Sequence, residues 1–310
     1  MVRVAIAGAT SGIGLAFKEQ LDKQTSHEYI ILVRKPLDHD PKAVLVDYNS
    51  TAALADALRE HAIHTVISAL SISDEASGVA QLRLIEAANQ SECVQRFLPS
   101  EFGADYREGI FEYMPSYGFK FKARNLLANL KMEYSIVSIG LFLDYYCPPS
   151  IPSALDPNKG AALFIDLQHR FAAIPGDGSQ PIVLTHSTDA ARFVVAMLNL
   201  PSWSRDSFFA GERTSLVEFL QCAEDILDVK FKVHYDDHEK IEAGDITLTP
   251  NLAERFPADF AKGMVKGLAL EYLRGRSSLP QEKCRNEILS DGKRLGIQQV
   301  LHAWKVAGEA

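Results

Sequence analysis

Cysteine is scarce in this chain: Cys93, Cys147, Cys222 and Cys284 are the only four among 310 residues, and no two form a Cys-x-x-Cys pair. A disulfide framework and a thiolate zinc site are therefore not expected, and a reducing compartment is. Basic charge is also short, with 32 Lys and Arg against 40 Asp and Glu and a net charge of −8. That disfavours nucleic acid as a main partner, because phosphate binding favours a cationic surplus. Apolar residues nowhere run to the roughly 18 needed to cross a bilayer. Residues 2–8 read as a buried strand and not as a charged leader, so a cytoplasmic protein without membrane contact is expected, and the sequons at Asn49 and Asn89 are accidental. Internal repeats and low-complexity tracts are missing. What is present, 47% hydrophobic and 23% charged residues, is the makeup of an ordinary globular protein. At roughly 150 residues per domain, the length suits two domains or one with an added lobe.

Short β-branched or apolar runs alternate with helical patterns over the first 140 residues, which predicts βαβ units and a parallel sheet covered on both faces. Strands are predicted at Val2–Ala7, Tyr29–Val33, Ala43–Val46, Thr65–Ala69, Arg96–Leu98 and Tyr134–Ile139. Helices are predicted near Ile13–Asp22, Thr51–His61, Gly78–Asn89 and Phe119–Leu130. In the last of these Phe119, Ala123, Leu126, Leu127 and Leu130 share one face. After Cys147 the pattern changes, with Pro148, Pro149, Pro152 and Pro157 interrupting regular structure. A boundary there divides the chain into residues 1–147, a Rossmann-like doubly wound α/β domain, and residues 148–310, a smaller lobe. Ser187–Leu198 reads as a helix returning to the sheet, and Ser215 with Glu218 forms a capping box for a helix ending at Leu227.

The first strand runs directly into Gly8-Ala9-Thr10-Ser11-Gly12-Ile13-Gly14 and then a helix. In that context a glycine-rich turn aims backbone N–H groups and a helix N-terminus at a pyrophosphate. Without a ligand the same residues would make only a tight strand-to-helix turn; strand, spacing and helix together favour dinucleotide binding. The choice of dinucleotide rests on the end of the second strand, where an acid would hold a ribose 2′-OH and an arginine would suit a 2′-phosphate. Arg34-Lys35 stand there, with no acid before Asp38, and favour NADPH over NADH. The bland alternative is a solvated basic pair.

Lys120 falls in the first turn of the helix after Phe119, at the edge where ligands of open α/β sheets bind. A cation is misplaced at a helix N-terminus, and a residue that breaks a local rule is a candidate for function. An apolar pocket would lower its pKa towards acid/base use. The alternative is a solvated lysine on a helix that also carries Lys122 and Arg124. No tyrosine has a lysine four residues on; Tyr117 precedes Lys120 by three and Lys122 by five. That disfavours a Tyr–Lys mechanism.

These residues carry a resemblance. The Gly8-Ala9-Thr10 turn, Leu32-Val33-Arg34, Val66-Ile67-Ser68, Arg96-Phe97-Leu98-Pro99-Ser100-Glu101-Phe102-Gly103 and Lys120-x-Lys122-x-Arg124 are together similar to the isoflavone reductase-like and NmrA-like family of atypical short-chain reductases. The likeness spans about the first 145 residues and continues more weakly through Ile174-Pro175-Gly176-Asp177-Gly178 and Thr188-Asp189-Ala190-Ala191. It implies that Lys120 is the catalytic lysine, that Arg34 binds the 2′-phosphate, and that Arg124 is the basic residue one turn after the lysine. Phe142 would lie against the nicotinamide, and Ser68, Ala69, Leu70 and Phe102 would join Arg124 along the cofactor. Ser11 replaces the family's middle glycine and Gly12 follows it; Lys42 is a further basic candidate in a shortened third-strand region.

The activity implied is NADPH-dependent hydride transfer to an aromatic or polyketide-like small molecule, at an enone, imine, carbonyl or benzylic ether, with Lys120 as general acid/base. An NmrA-type redox sensor without turnover is the alternative from another class, and an isomerase or cyclase a third. A monomer or homodimer is expected. Phe164, Phe171, Trp203, Phe208 and Phe209 are available to line an apolar cleft, though most read as core. His61 and His64 lack further ligands and read as surface residues. His234, Asp236, Asp237, His238 and Glu239 read as a solvated loop and not as a metal site.

Overall fold

The computed structural model describes residues 1–106, 114–155 and 162–308. The strand β1 (Arg3–Ala7) leads through the glycine turn into α1 (Gly12–Asp22), and β2 (Glu28–Val33) and β3 (Ala43–Leu45) precede α2 (Thr51–Glu60). Then come β4 (Thr65–Ser68), α3 (Glu75–Ser91) and β5 (Arg96–Leu98), and later, directly after the 3-10 turn Pro115–Tyr117, α4 (Gly118–Ala128) and β6 (Glu133–Tyr134). The six strands form one sheet in the order β3-β2-β1-β4-β5-β6, with every neighbouring pair parallel. This is the doubly wound order, and its direction reverses between β1 and β4.

Side chains alternate across a strand, so each strand feeds two cores. Val4 and Ile6 of β1 pack with Phe17 and Leu21 of α1 on one face, whereas Ala5 and Ala7 join Leu54, Leu58, Leu84, Ile85 and Leu127 of α2, α3 and α4 on the other. Helix α3 starts earlier than its apolar pattern suggests. Asp74 caps it, accepting the Ser77 N–H at 2.8 Å while the Asp74 N–H donates to Ser77 Oγ at 3.2 Å. The serine hydroxyl takes the part usually played by a glutamate in such a box.

The predicted strand Tyr134–Ile139 is two strands. β6 stays on the sheet, but from Ile136 the backbone transfers its pairing, so that β7 (Ile136–Ser138) lies parallel to a strand of the later chain, Asp206–Phe208. Ser135 sits at the switch, its Oγ 2.8 Å from Ser207 Oγ.

Beyond it come β8 (Leu141–Phe142), β9 (Ile165–Asp166), β10 (Phe171–Pro175), β11 (Pro181–Thr185), α5 (Ser187–Met197), β12 (Asp206–Phe208), β13 (Glu212–Ser215), α6 (Leu216–Leu227) and β14 (Lys232–Asp236). The helices α7 (His238–Glu242), α8 (Pro250–Arg255), α9 (Ala258–Leu273) and α10 (Ile297–Ala307) complete the chain. Pro148, Pro149 and Pro152 stand in irregular chain; Pro157 lies outside the described residues. As expected, α5 returns to the sheet, where Ala190, Ala191, Phe193 and Val194 share a core with Phe17 and Ile6, and Ser215 and Glu218 form the box that starts α6. A third core joins β10, β11, α6, α9 and α10. Trp304 of α10 ties it to the 3-10 turn after β8 by donating to the Tyr146 carbonyl at 2.7 Å. Among the described residues no helix is long and apolar enough to cross a membrane.

One close approach fixes the α3–α4 crossing, because a Cβ on Gly78 would lie 2.2 Å from Cγ of Phe119. The contact falls at the root of the ring, which cannot swing aside. Gly78→Ala is therefore expected to cost about 1–3 kcal/mol through overpacking, read as a lower midpoint in urea denaturation; an unchanged midpoint would show that the helices separate freely.

Candidate functional site

The carboxyl ends of β1, β2, β4 and β5 open on one cleft of about 1450 Å³. At its sheet end lies the turn between β1 and α1. Ser11 caps α1 in an extended conformation (φ −162°, ψ 168°) without a side-chain hydrogen bond, and no acid stands in the first helical turn. Gly8 and Gly12 both have positive φ, +85° and +61°, and a Cβ built on Gly12 would meet no atom within 4 Å. The position that lacks the family glycine is thus one any residue can occupy, and the glycine one place later faces open space. Gly14 serves packing instead, because a Cβ there would lie 2.2 Å from the Gly8 carbonyl oxygen, so its bareness lets α1 press onto the turn. Unfilled first-turn N–H groups beside open volume fit a dinucleotide pyrophosphate.

Along the same wall, Arg34 and Lys35 follow β2, with Tyr48 beside them. Both cations are exposed and make no ion pair among the described residues. Arg34 is near enough to Asp74 to help hold that carboxyl below its usual range, after the larger effect of the Ser77 hydrogen bonds. Lys42 does not reach the cleft. Its Nζ donates to Asp22 Oδ1 at 2.8 Å and sits 3.8 Å from the centre of the Tyr29 ring.

At the centre is Lys120, in the first turn of α4 as its position predicts. Its side chain is 9% exposed. Nζ donates to the carbonyls of Ser100 at 3.0 Å and Glu101 at 3.1 Å. The Ser100 end of this turn is held by Gln81, whose Oε1 accepts from Ser100 N at 2.7 Å and from Ser68 Oγ at 2.8 Å. Burial pushes the Lys120 amine below its usual value; the Glu101 charge opposes this and the Arg124 charge adds to it. The rings of Tyr117 and Tyr106 stand 5.0 and 5.7 Å from Nζ. These two tyrosines meet edge to face at 4.9 Å. Burial raises both phenols, Tyr117 well above its usual value, and pushes Tyr145 up to about 12. None of the three is a ready acid, in keeping with the unfavourable Tyr–Lys spacing.

Of the residues singled out from sequence, Gly8, Ala9, Thr10, Ser11, Gly12, Ile13, Arg34, Lys35, Ala69, Leu70, Phe102, Lys120 and Phe142 line the cleft together. Gly14, Ser68 and Arg124 are not among the lining residues: Gly14 backs the turn, and Ser68 is fully buried against Gln81. Arg124, expected along the cofactor, does not line the cleft. Its guanidinium is committed to Glu101, with Nε–Oε1 2.8 Å and Nη2–Oε2 2.9 Å, and it donates to the Tyr106 carbonyl at 3.0 Å, so these donors are spent within the protein.

The far wall comes from the later chain. Leu155, Leu163, Phe256, Phe260, Met264 and Leu268 face the cleft. None of the five aromatics that the sequence makes available does so, in keeping with the reading of most of them as core. Phe164, Trp203, Phe208 and Phe209 are core, and Phe171 stacks on His234 at 5.1 Å. Phe260, Met264 and Leu268 repeat every four residues along α9, a pattern that sequence alone cannot separate from an ordinary core stripe. The cluster at 234–239 is committed as well, because buried Asp236 accepts from Lys240 Nζ at 2.6 Å and from Thr247 N and Oγ1 at 2.6 and 2.8 Å.

Similarity to known proteins agrees with this geometry. Residues 8–152 match the family model described as NAD(P)H-binding. "Oxidoreductase BOA1" of Botryotinia fuckeliana is 41% identical over 236 residues, covering 74% of this chain and 78% of that protein. "Oxidoreductase swnN" of Metarhizium robertsii is 33% identical over 291 residues, covering 85% and 84%. Among solved structures, one described under pinoresinol-lariciresinol and phenylcoumaran benzylic ether reductases and their relationship to isoflavone reductases superposes with a TM-score of 0.75. It is 18% identical and covers 97% of this chain and 98% of its own, which fixes a shared fold.

The burial of Lys120 has a thermodynamic signature. Its folded pKa lies below the ordinary 10.5, so the unfolded chain binds this proton more tightly, and the cost of burying the ammonium declines as pH rises towards 10.5. Wild type is expected to gain stability relative to Lys120→Met over that interval, measured as the difference in Tm; a difference independent of pH would mean the amine is not desolvated.

Proposed function

Because the chain belongs to the isoflavone reductase-like family of NAD(P)H-binding oxidoreductases, we propose that it is an NADPH-dependent reductase. Its substrate in this reading is an aromatic or polyketide-like small molecule, reduced at an enone, imine, carbonyl or benzylic ether. One observation carries the reading. A single cleft runs from a helix N-terminus without a side-chain cap hydrogen bond and two cations without ion-pair partners among the described residues, past a buried lysine, to an apolar wall.

Residues 1–147 hold the cofactor and residues 148–310 supply most of the substrate wall. The turn Gly8–Gly14 takes the pyrophosphate on backbone donors, while Arg34 and Lys35 take the 2′-phosphate. Ala69, Leu70, Phe102 and Phe142 fill in along the groove. When bound, the reduced nicotinamide supplies the hydride. Lys120 manages the accompanying proton. Two of its three donors are held by the carbonyls of Ser100 and Glu101, and the third is available to the substrate atom on which negative charge develops. Phe256, Phe260 and Met264 favour a flat apolar substrate and help exclude water.

Arg34→Ala is expected to weaken NADPH by about 1.5–3 kcal/mol, the range for a hydrogen bond to a charged group, and to leave NADH almost unchanged in calorimetric titrations. Equal losses for both cofactors would give Arg34 a structural role only. Lys120→Ala is expected to abolish NADPH oxidation with any substrate the wild type turns over while keeping NADPH affinity within a few-fold. Retained turnover would remove Lys120 from the mechanism.

A further inference from the structure

The cation that sequence resemblance would give to the cofactor instead completes a buried network behind Lys120. Glu101, whose side chain is 3% exposed, leaves the end of β5 and turns inward. Arg124 lies one helical turn beyond Lys120 on α4 and reaches both carboxylate oxygens of Glu101, at 2.8 and 2.9 Å. Lys120 Nζ is 3.9 Å from the same carboxylate, beyond hydrogen-bond reach, and is held instead by the backbone carbonyls of Ser100 and of Glu101 itself.

We infer that the buried Arg124–Glu101 pair is a positioning device for Lys120: by occupying both oxygens of the carboxylate, Arg124 keeps Glu101 in a long ion pair with the Lys120 ammonium, at 3.9 Å, and out of direct hydrogen-bond contact with it. The inference rests on the reading of Lys120 as the proton-handling group. A carboxylate left unshared at this depth would close on the nearest ammonium, since a buried charge without a partner is costly, and an amine locked in such a pair would not release its proton near neutral pH. With the planar fork of Arg124 in place, the carboxylate is neutralised from the side away from the cleft. Among the described residues, the other ionisable groups facing Lys120 are Tyr106, after β5, and Tyr117, ahead of α4; Asp105 and Asp206 act on Arg124. Neither tyrosine supplies charge near neutral pH, because burial raises both. Among the described residues, the charge balance at Lys120 therefore rests on Glu101 and Arg124.

The test is a titration of the Lys120 amine itself in the full chain, needing no substrate. Trace acetic anhydride is added across a pH series and acetylation of Lys120 is read by peptide mass spectrometry. Arg124→Gln frees the carboxylate and removes a cation, so the midpoint is expected to rise by about one pH unit or more, the usual effect of a close opposite charge. Glu101→Gln moves it the other way. Arg124→Lys restores a cation and brings the midpoint back towards wild type. The double variant Glu101→Gln/Arg124→Gln removes both charges of the pair together, leaving neither unpaired, and keeps the test open if a single variant does not fold; its midpoint falls between those of wild type and Glu101→Gln. A merely structural pair would lower unfolding temperatures and leave the midpoints together. Coincident midpoints, or single variants that shift in the same direction, overturn the inference. Turnover by Lys120→Ala, with the midpoint order intact, would instead overturn the proton-handling role and leave the positioning geometry standing.

Discussion

A parallel sheet must cover both of its faces, and most of this molecule follows from that constraint. Parallel neighbours cannot be joined by hairpins, so each connection crosses over one face, and the helices that make the crossings bury what the strands expose. Every strand then ends at the same edge. The turns after β1, β2, β4 and β5 collect there, and the reversal of strand order between β1 and β4 leaves a gap between α1 and α3 that no side chain fills. The cleft is thus a product of topology before any residue in it is chosen.

What the residues add is a gradient of environment along that gap. At the Arg34 end the cations are exposed and open to an incoming anion. Around Lys120 the amine is desolvated, ringed by tyrosines and held by two carbonyl oxygens. At the α9 end the wall is largely apolar. A molecule spanning the cleft passes from water-like to oil-like surroundings, and the titratable lysine lies between.

The fold and the cofactor half are legible in the sequence because both are local. The turn from Gly8 to Gly14 and the pair Arg34-Lys35 sit at fixed offsets from strand ends, and Lys120 announces itself as a cation in the first turn of a helix. Pairing across long separations is not legible. Arg124 misleads because a basic residue one turn past a lysine looks the same whether it faces a phosphate or a glutamate 23 residues earlier. Glu101 lies in the most distinctive run of the chain, yet its inward turn depends on a partner that the run does not contain. The substrate wall escapes the sequence for a related reason. Phe164 and Phe209 are as apolar as Phe256 and Phe260, and only the tertiary arrangement decides which are sealed inside.

The change of partner at Ser135 reaches beyond the site. A strand on the border of a sheet carries unsatisfied donors and acceptors that invite a strand from another molecule. Here residues 206–208 occupy that place for β7, and Phe208 bridges onward to Cys284, so one flank of the molecule is sealed by its own chain. The opposite flank is β3, three residues long, too brief to template much growth. At the central sheet, growth from copy to copy would meet the chain's own continuation on one side and a strand of only three residues on the other.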